Sequence, residues 1–233
     1  VLMLVFKDTI LGLAAGVRLT SNDMLHKGDW ITVKSVDANG IVEDMSLTTV
    51  KVRNFDNTIV TISPATLVNG SFQNWIGMQK SGGRRAKRIV YFDFRSIRLV
   101  DETLKQTLLA KHFATEDSFK LKESLQKAIE KDIQEGKDIE DLKNPAALAP
   151  TNLQLYRRFM EKYLRQRPEV NTELTLMVRH MEATQCGLPI EFYFFIKDKV
   201  WVNYEHILAD IMEHAYALAN EFGLKIYEQY PEQ

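Results

Sequence analysis

The chain has 233 residues, with 30 Lys plus Arg against 31 Asp plus Glu, so its formal charge is near zero. That balance argues against a chain built mainly to hold nucleic acid but leaves room for a local basic patch. With 45% hydrophobic residues and a single cysteine, Cys186, it can build a large core and no intrachain disulfide.

The opening run, VLMLVFKDTILGLAAGVRL, has the pattern of a helix. It begins with Val1 inside an apolar stretch, and Lys7 and Asp8 interrupt it, so the expectation is a piece of a longer protein without a complete membrane span. Gly12, Ala14, Ala15 and Gly16 cluster at its centre, with Gly12 and Gly16 four apart on one face. Glycines in an exposed soluble helix each cost about 1 kcal/mol relative to alanine. Small residues at this spacing let helix backbones approach closely, as they do in membranes. A core helix buried at the start of a soluble domain accounts for the same spacing.

From Ser21 to Trp75 the signals are those of strands. Trp30 to Val36, Ile41 to Glu43, Leu47 to Arg53, Thr58 to Ile62 and Ser71 to Trp75 are expected strands, with turns at Ala38-Asn39-Gly40 and Asp56-Asn57 and a stop at Pro64. Five short strands in so few residues predict a small SH3-like β barrel over residues 21–76. Residues 77–87, beginning in a Gly- and Ser-containing stretch, are expected to be a linker.

Residues 88–233 follow a different order. A strand over Arg88 to Phe94 leads to a helix over Asp101 to Leu109. Ser118 caps a second helix with Leu121, Leu125, Ala128, Ile129 and Ile133 on one face, and Gly136 to Pro150 is a polar loop. Thr151 caps a third helix. Leu174 to Met181 and Ile190 to Lys197 make a hairpin around Gly187-Leu188-Pro189, Asn203 caps a long helix that Gly223 stops, and Leu224 to Gln229 is a last strand. This order predicts a ferredoxin-like α/β sandwich. The whole is then α+β with an all-β part: helix, barrel, sandwich.

Chemistry-bearing constellations are scarce. His206 and His214 are eight apart, there is no HExxH, and Walker A, GxGxxG and GxSxG are absent, so no metal, no cofactor and no enzyme are expected. The basic run Arg84, Arg85, Lys87 and Arg88 suits phosphates or a solvated face.

Three ordered blocks resemble the small-conductance mechanosensitive ion channel family, and more closely its miniconductance branch. FKDTILGLAAGVRLTSNDMLHKGDWI is similar to that family's pore helix entering its middle β domain, and LTTVKVRNFDNTIVTISPATLVNGSFQNW to the rest of that domain. GGRRAKR, LTLMVRHMEATQCGLPIEFYFF and EFGLKIYEQ resemble the miniconductance C-terminal region. Ser63-Pro64-Ala65 departs from the Pro-Asn frequent in the family at that strand end, and the upstream membrane helices are missing.

The resemblance implies the cytoplasmic part of a channel subunit in a bacterial inner membrane, with residues 1–20 the end of the pore-lining helix. It implies a homo-heptamer that opens under membrane tension in hypo-osmotic shock and releases ions and small solutes, touching lipid mainly through the missing helices. In that frame Gly12, Ala14, Ala15 and Gly16 pack pore helices together, and Leu4 is the candidate constriction that closes the pore by dewetting. Arg18 is the candidate headgroup contact, and Arg84, Arg85, Lys87 and Arg88 supply charge to a vestibule. Nucleic acid is not an expected partner. The competing readings are a soluble nucleic-acid-binding module on the small barrel and a small-molecule or regulatory domain on the sandwich.

Overall fold

The structure is a computed structural model that describes residues 2–120, 127, 130–131, 134–135 and 149–229, with backbone alone for 2–8. The chain divides into two compact units, residues 1–81 and 82–233.

In the first unit, helix α1 (Leu2–Ser21) leads into β1 (Trp30–Val33), β2 (Ala38–Met45), β3 (Val50–Asn54) and β4 (Ile59–Ile62). Helix α2 (Pro64–Asn69), the short β5 (Gln73–Asn74) and helix α3 (Ile76–Lys80) complete it. The strands form one antiparallel sheet in the order β4-β3-β2-β1-β5. Alternation along β2 and β3 sends Ala38, Val42, Val50 and Val52 inward, where they join Ile31, Val33, Ile62 and Leu67 in the core. Leu19 from α1 and Leu25 from the connection are buried in the same core, so the helix end is part of this unit.

Two details differ from expectation. The Asn39-Gly40 pair is not the turn; β2 runs through it, and the chain reverses earlier, through a 3₁₀ turn at Lys34–Val36 closed by Asp37 at φ 52°. Gly40 is required for space: a Cβ there would stand 1.9 Å from the Arg53 carbonyl oxygen across the ladder. Ser63-Pro64 does more than end β4. The Ser63 hydroxyl accepts from the Thr66 N–H at 3.2 Å and Pro64 occupies the first helical turn, so the pair starts α2.

In the second unit, β6 (Arg84–Phe92) leads to α4 (Glu102–Ala110), α5 (Asn152–Gln166), β7 (Met177–His180), β8 (Leu188–Ile196) and α6 (Trp201–Glu221). The sheet is antiparallel in the order β6-β8-β7. The expected last strand is reduced to a bridge between Ile226 and Phe92, with the Asp93 N–H donating to Lys225 and the Tyr227 N–H to Tyr91. Most of the helix expected after Ser118 lies outside the described residues, Leu121, Leu125, Ala128, Ile129 and Ile133 included; Ser118 itself sits in a 3₁₀ turn. The residues expected as a linker are α3 and the start of β6. Their charge hid the strand, because Ala86, Val90 and Phe92 supply the buried alternation and the basic residues project past it.

Candidate functional site

Helix α1 is sided in a way that its composition does not announce. At 100° per residue, Ala15, Gly16 and Leu19 fall on one side and are buried against the β domain. Gly16 is in direct backbone contact: a Cβ there would lie 2.1 Å from the Leu47 carbonyl oxygen in the β2–β3 loop. Gly12 is on the same side one turn higher, where nothing comes within 4 Å of an added Cβ. The helix has risen past the domain at that point.

The opposite side carries Ile10, Leu13, Ala14 and Val17, the i, i+3, i+4, i+7 stripe of an amphipathic helix. It faces outward, with Ile10 57%, Leu13 38% and Val17 53% exposed, and Leu11 on its flank is 53% exposed. The four small residues therefore do not make one contact surface. Gly16 and Ala15 are used within the chain, Gly12 stands open above them, and Ala14 belongs to the outward stripe. Leu4 lies near the start of α1, and its side chain is outside the described residues. Arg18 is exposed in the last turn of α1, where a cation complements the helix dipole; among the described residues it has no ion pair.

The helix end is firmly tied down. The Thr20 hydroxyl donates to the Gly16 carbonyl at 2.9 Å, and Asp23 at φ 58° turns the chain back under the helix. The buried Asp29 carboxylate then accepts from the His26 N–H at 3.1 Å and the Asn74 side-chain amide at 2.8 Å. Carboxylate, connection and β5 are thus held together directly beneath α1. On the outer face of the sheet, Trp30 and Trp75 stack at 4.6 Å, with Phe55 edge-on to Trp30 at 5.2 Å.

The basic run of the second unit is split by strand geometry. Arg84 lies over the Tyr204 ring at 4.4 Å and Arg88 pairs with Glu205 at 3.8 Å, both at α6. Arg85 and Lys87 point to the other face, toward Tyr193 at 5.9 Å and Glu191 at 3.2 Å. Glu191 is the residue the sequence reading missed: it is fully buried beneath Lys87 and Arg179, whose guanidinium donates to it at 2.5 Å. That Arg179 hydrogen bond, with Lys87 assisting, holds the Glu191 carboxyl below the usual range against the opposing effect of burial. A carboxyl lowered in the folded state stabilises above its unfolded value and loses that contribution as pH falls through its folded value. Urea midpoints of the wild type should therefore decline as acid protonates Glu191, whereas Glu191→Gln should start lower at neutral pH and show a flatter acid limb.

A sequence model of the β-domain of mechanosensitive ion channels matches residues 8–77, a range that takes in the described stripe of α1 and all five strands of the first sheet. The first unit is similar to the β-domain of that channel family. The small-conductance mechanosensitive channel MscMJ of Methanocaldococcus jannaschii is 33% identical over 73 residues, which are 31% of this chain and 20% of that protein. Across the full length the likeness is one of fold. The cryo-EM structure of Arabidopsis thaliana MSL1 aligns over 97% of the chain and 61% of its own, at a TM-score of 0.62 and 10% identity. The closed-state crystal structure of Helicobacter pylori MscS aligns over 100% of the chain and 67% of its own, at a TM-score of 0.59 and 12% identity. The chain spans about a fifth of the archaeal channel in the matched region and about three fifths of the plant structure. Among the described residues no helix is long and apolar enough to cross a membrane.

Proposed function

We propose that this chain is the pore-helix end, β domain and C-terminal region of a channel subunit that opens under membrane tension and releases ions and small solutes in hypo-osmotic shock. The carrying observation is α1: one side is locked into a β domain of the channel family, and the other offers a complete apolar stripe to solvent. An isolated soluble helix gains nothing from such a stripe, whereas a ring of identical helices buries it. In this reading the subunit is one of seven around a bacterial inner-membrane pore, of the miniconductance branch. Gly12 and Ala14 then face neighbouring helices, Leu4 narrows the pore and Arg18 lies near lipid headgroups.

The first unit is read as an SH3-like barrel in cytoplasm. The second is read as a ferredoxin-like sandwich whose fourth strand has shrunk to the Ile226 bridge. As vestibule charges, Arg84, Arg85, Lys87 and Arg88 count for less than four, since Glu191 and Glu205 already face two of them. The same dispersal disfavours single-stranded nucleic acid, which needs a continuous basic groove.

The test uses the full-length subunit in membrane patches. Gly12→Leu, at a site with open space in the chain, should shift the tension at which channels open; Val17→Cys with Cys186→Ser should form disulfide-linked dimers between copies, and lysine crosslinking of the wild type should give a ladder ending at seven. Unaltered threshold together with no intersubunit crosslink would refute the assembly.

A further inference from the structure

The second unit carries a cavity of about 430 Å³ between the segment following α4 and the outer face of α5. That is within the roughly 300–1,000 Å³ of pockets that hold small molecules. Its floor is apolar and aromatic, formed by Phe113, Leu155 and Phe159, with the two phenyl rings edge-to-face at 5.2 Å. Its rim is cationic. Arg158 and Lys162, one turn apart on α5, both line it, and no carboxylate is among the described lining residues.

Charge pairing around the cavity makes this rim unusual. The neighbouring acids are each engaged elsewhere: Glu116 with Lys105, Asp117 with Lys120, Glu161 with Arg165. Among the described residues, Arg158 and Lys162 have neither an ion pair nor a hydrogen bond to a side chain. Two uncompensated cations one turn apart repel each other, a cost that a bound anion would remove. Across from them the Thr115 and Ser118 hydroxyls lie 3.2 Å apart and bond each other. The pair holds two hydroxyl hydrogens and its mutual bond uses one, leaving a donor for an anion. His112, at φ 60° in the left-handed region, adds a further polar group at the rim.

We propose that this cavity binds a small phosphorylated molecule with a flat apolar portion, of the class of a nucleoside monophosphate. The phosphate sits between Arg158, Lys162 and the Thr115/Ser118 hydroxyls, and the ring lies on Phe113 and Phe159. Charge-assisted bonds to phosphate supply the attraction, and the aromatic floor selects a ligand with a planar group over bare phosphate.

Isothermal titration of the 233-residue chain with adenosine monophosphate, adenosine and inorganic phosphate tests this. Adenosine monophosphate should bind, and each of the other two should bind at least about tenfold more weakly, since each lacks half of the recognition. Arg158→Ala with Lys162→Ala should abolish binding while leaving thermal melting in place, both side chains being exposed. Phe159→Leu should weaken adenosine monophosphate and leave inorganic phosphate unchanged. No heat with adenosine monophosphate, equal affinity for it and for phosphate, or full binding by the double variant would overturn the assignment. So would co-sedimentation with phosphatidylglycerol vesicles that the double variant loses, because the site would then serve a lipid headgroup.

Discussion

Gly16→Ala is expected to destabilise the first unit by about 3 kcal/mol, because overpacking against fixed backbone costs about that much and cannot be relieved by a rotamer change. The obstructing atom is the Leu47 carbonyl oxygen, 2.1 Å from where the new methyl group would stand, so either α1 lifts or the β2–β3 loop moves. For a unit of this size the melting temperature should fall by more than about 10 °C, read by circular dichroism. Gly12→Ala is the matched control. It meets nothing within 4 Å, and alanine favours helix by about 1 kcal/mol, so its melting should be unchanged or slightly higher. Equal melting of the two variants would mean that the helix is not seated on the loop. The expected difference would make the two glycines separable in a channel: Gly16 joins the helix to its own domain, and Gly12 is left for contacts between subunits.

The second large effect is expected at Asn152. This fully buried amide gathers three segments of the second unit. Its Oδ1 accepts from the Arg98 N–H at 3.0 Å and the Leu153 N–H at 2.9 Å, and its Nδ2 donates to the Ser96 carbonyl at 2.8 Å and the Phe222 carbonyl at 3.1 Å. Asn152→Leu strands two donors and two acceptors in the core. With each unsatisfied buried group costing about 1–3 kcal/mol, a loss of about 4 kcal/mol or more is expected, visible as a lower urea midpoint. A midpoint within the error of the wild type would show that water replaces the amide.

The contrast between these sites explains what was legible in the sequence. Strands β1 to β4 announce themselves by alternation, and the helices α1, α4, α5 and α6 by apolar spacing. Contacts distant in sequence do not. Gly16 looked like one of four small residues on a helix, and only the arrival of Leu47 separates it from Gly12. Asn152 sits beside Thr151, whose hydroxyl does cap α5 as expected, and nothing local signals that its neighbour ties together Ser96, Arg98 and Phe222. Gly40 invited a turn because Asn-Gly so often makes one, yet its role is to let β3 approach. At α6, Asn203 was expected to cap the helix, but the helix begins at Trp201 with Val200 at the N-cap and no side-chain cap; Asn203 lies in the first turn, its side-chain amide donating to Asp198 at 2.8 Å. The basic run was the most misleading signal. Four cations close together in sequence become two pairs on opposite faces once the segment is extended.

The stacked indoles of Trp30 and Trp75 provide an optical handle. At 4.6 Å and an interplanar angle of 18° their transitions couple, which should give the near-ultraviolet and far-ultraviolet dichroism a signed doublet that vanishes when either ring is replaced by phenylalanine. Trp201 is more than half exposed and should dominate the red edge of the emission instead. Because Trp30 opens the first strand and Trp75 follows the last, that doublet would report whether the two ends of the β domain stay together when α1 is pulled.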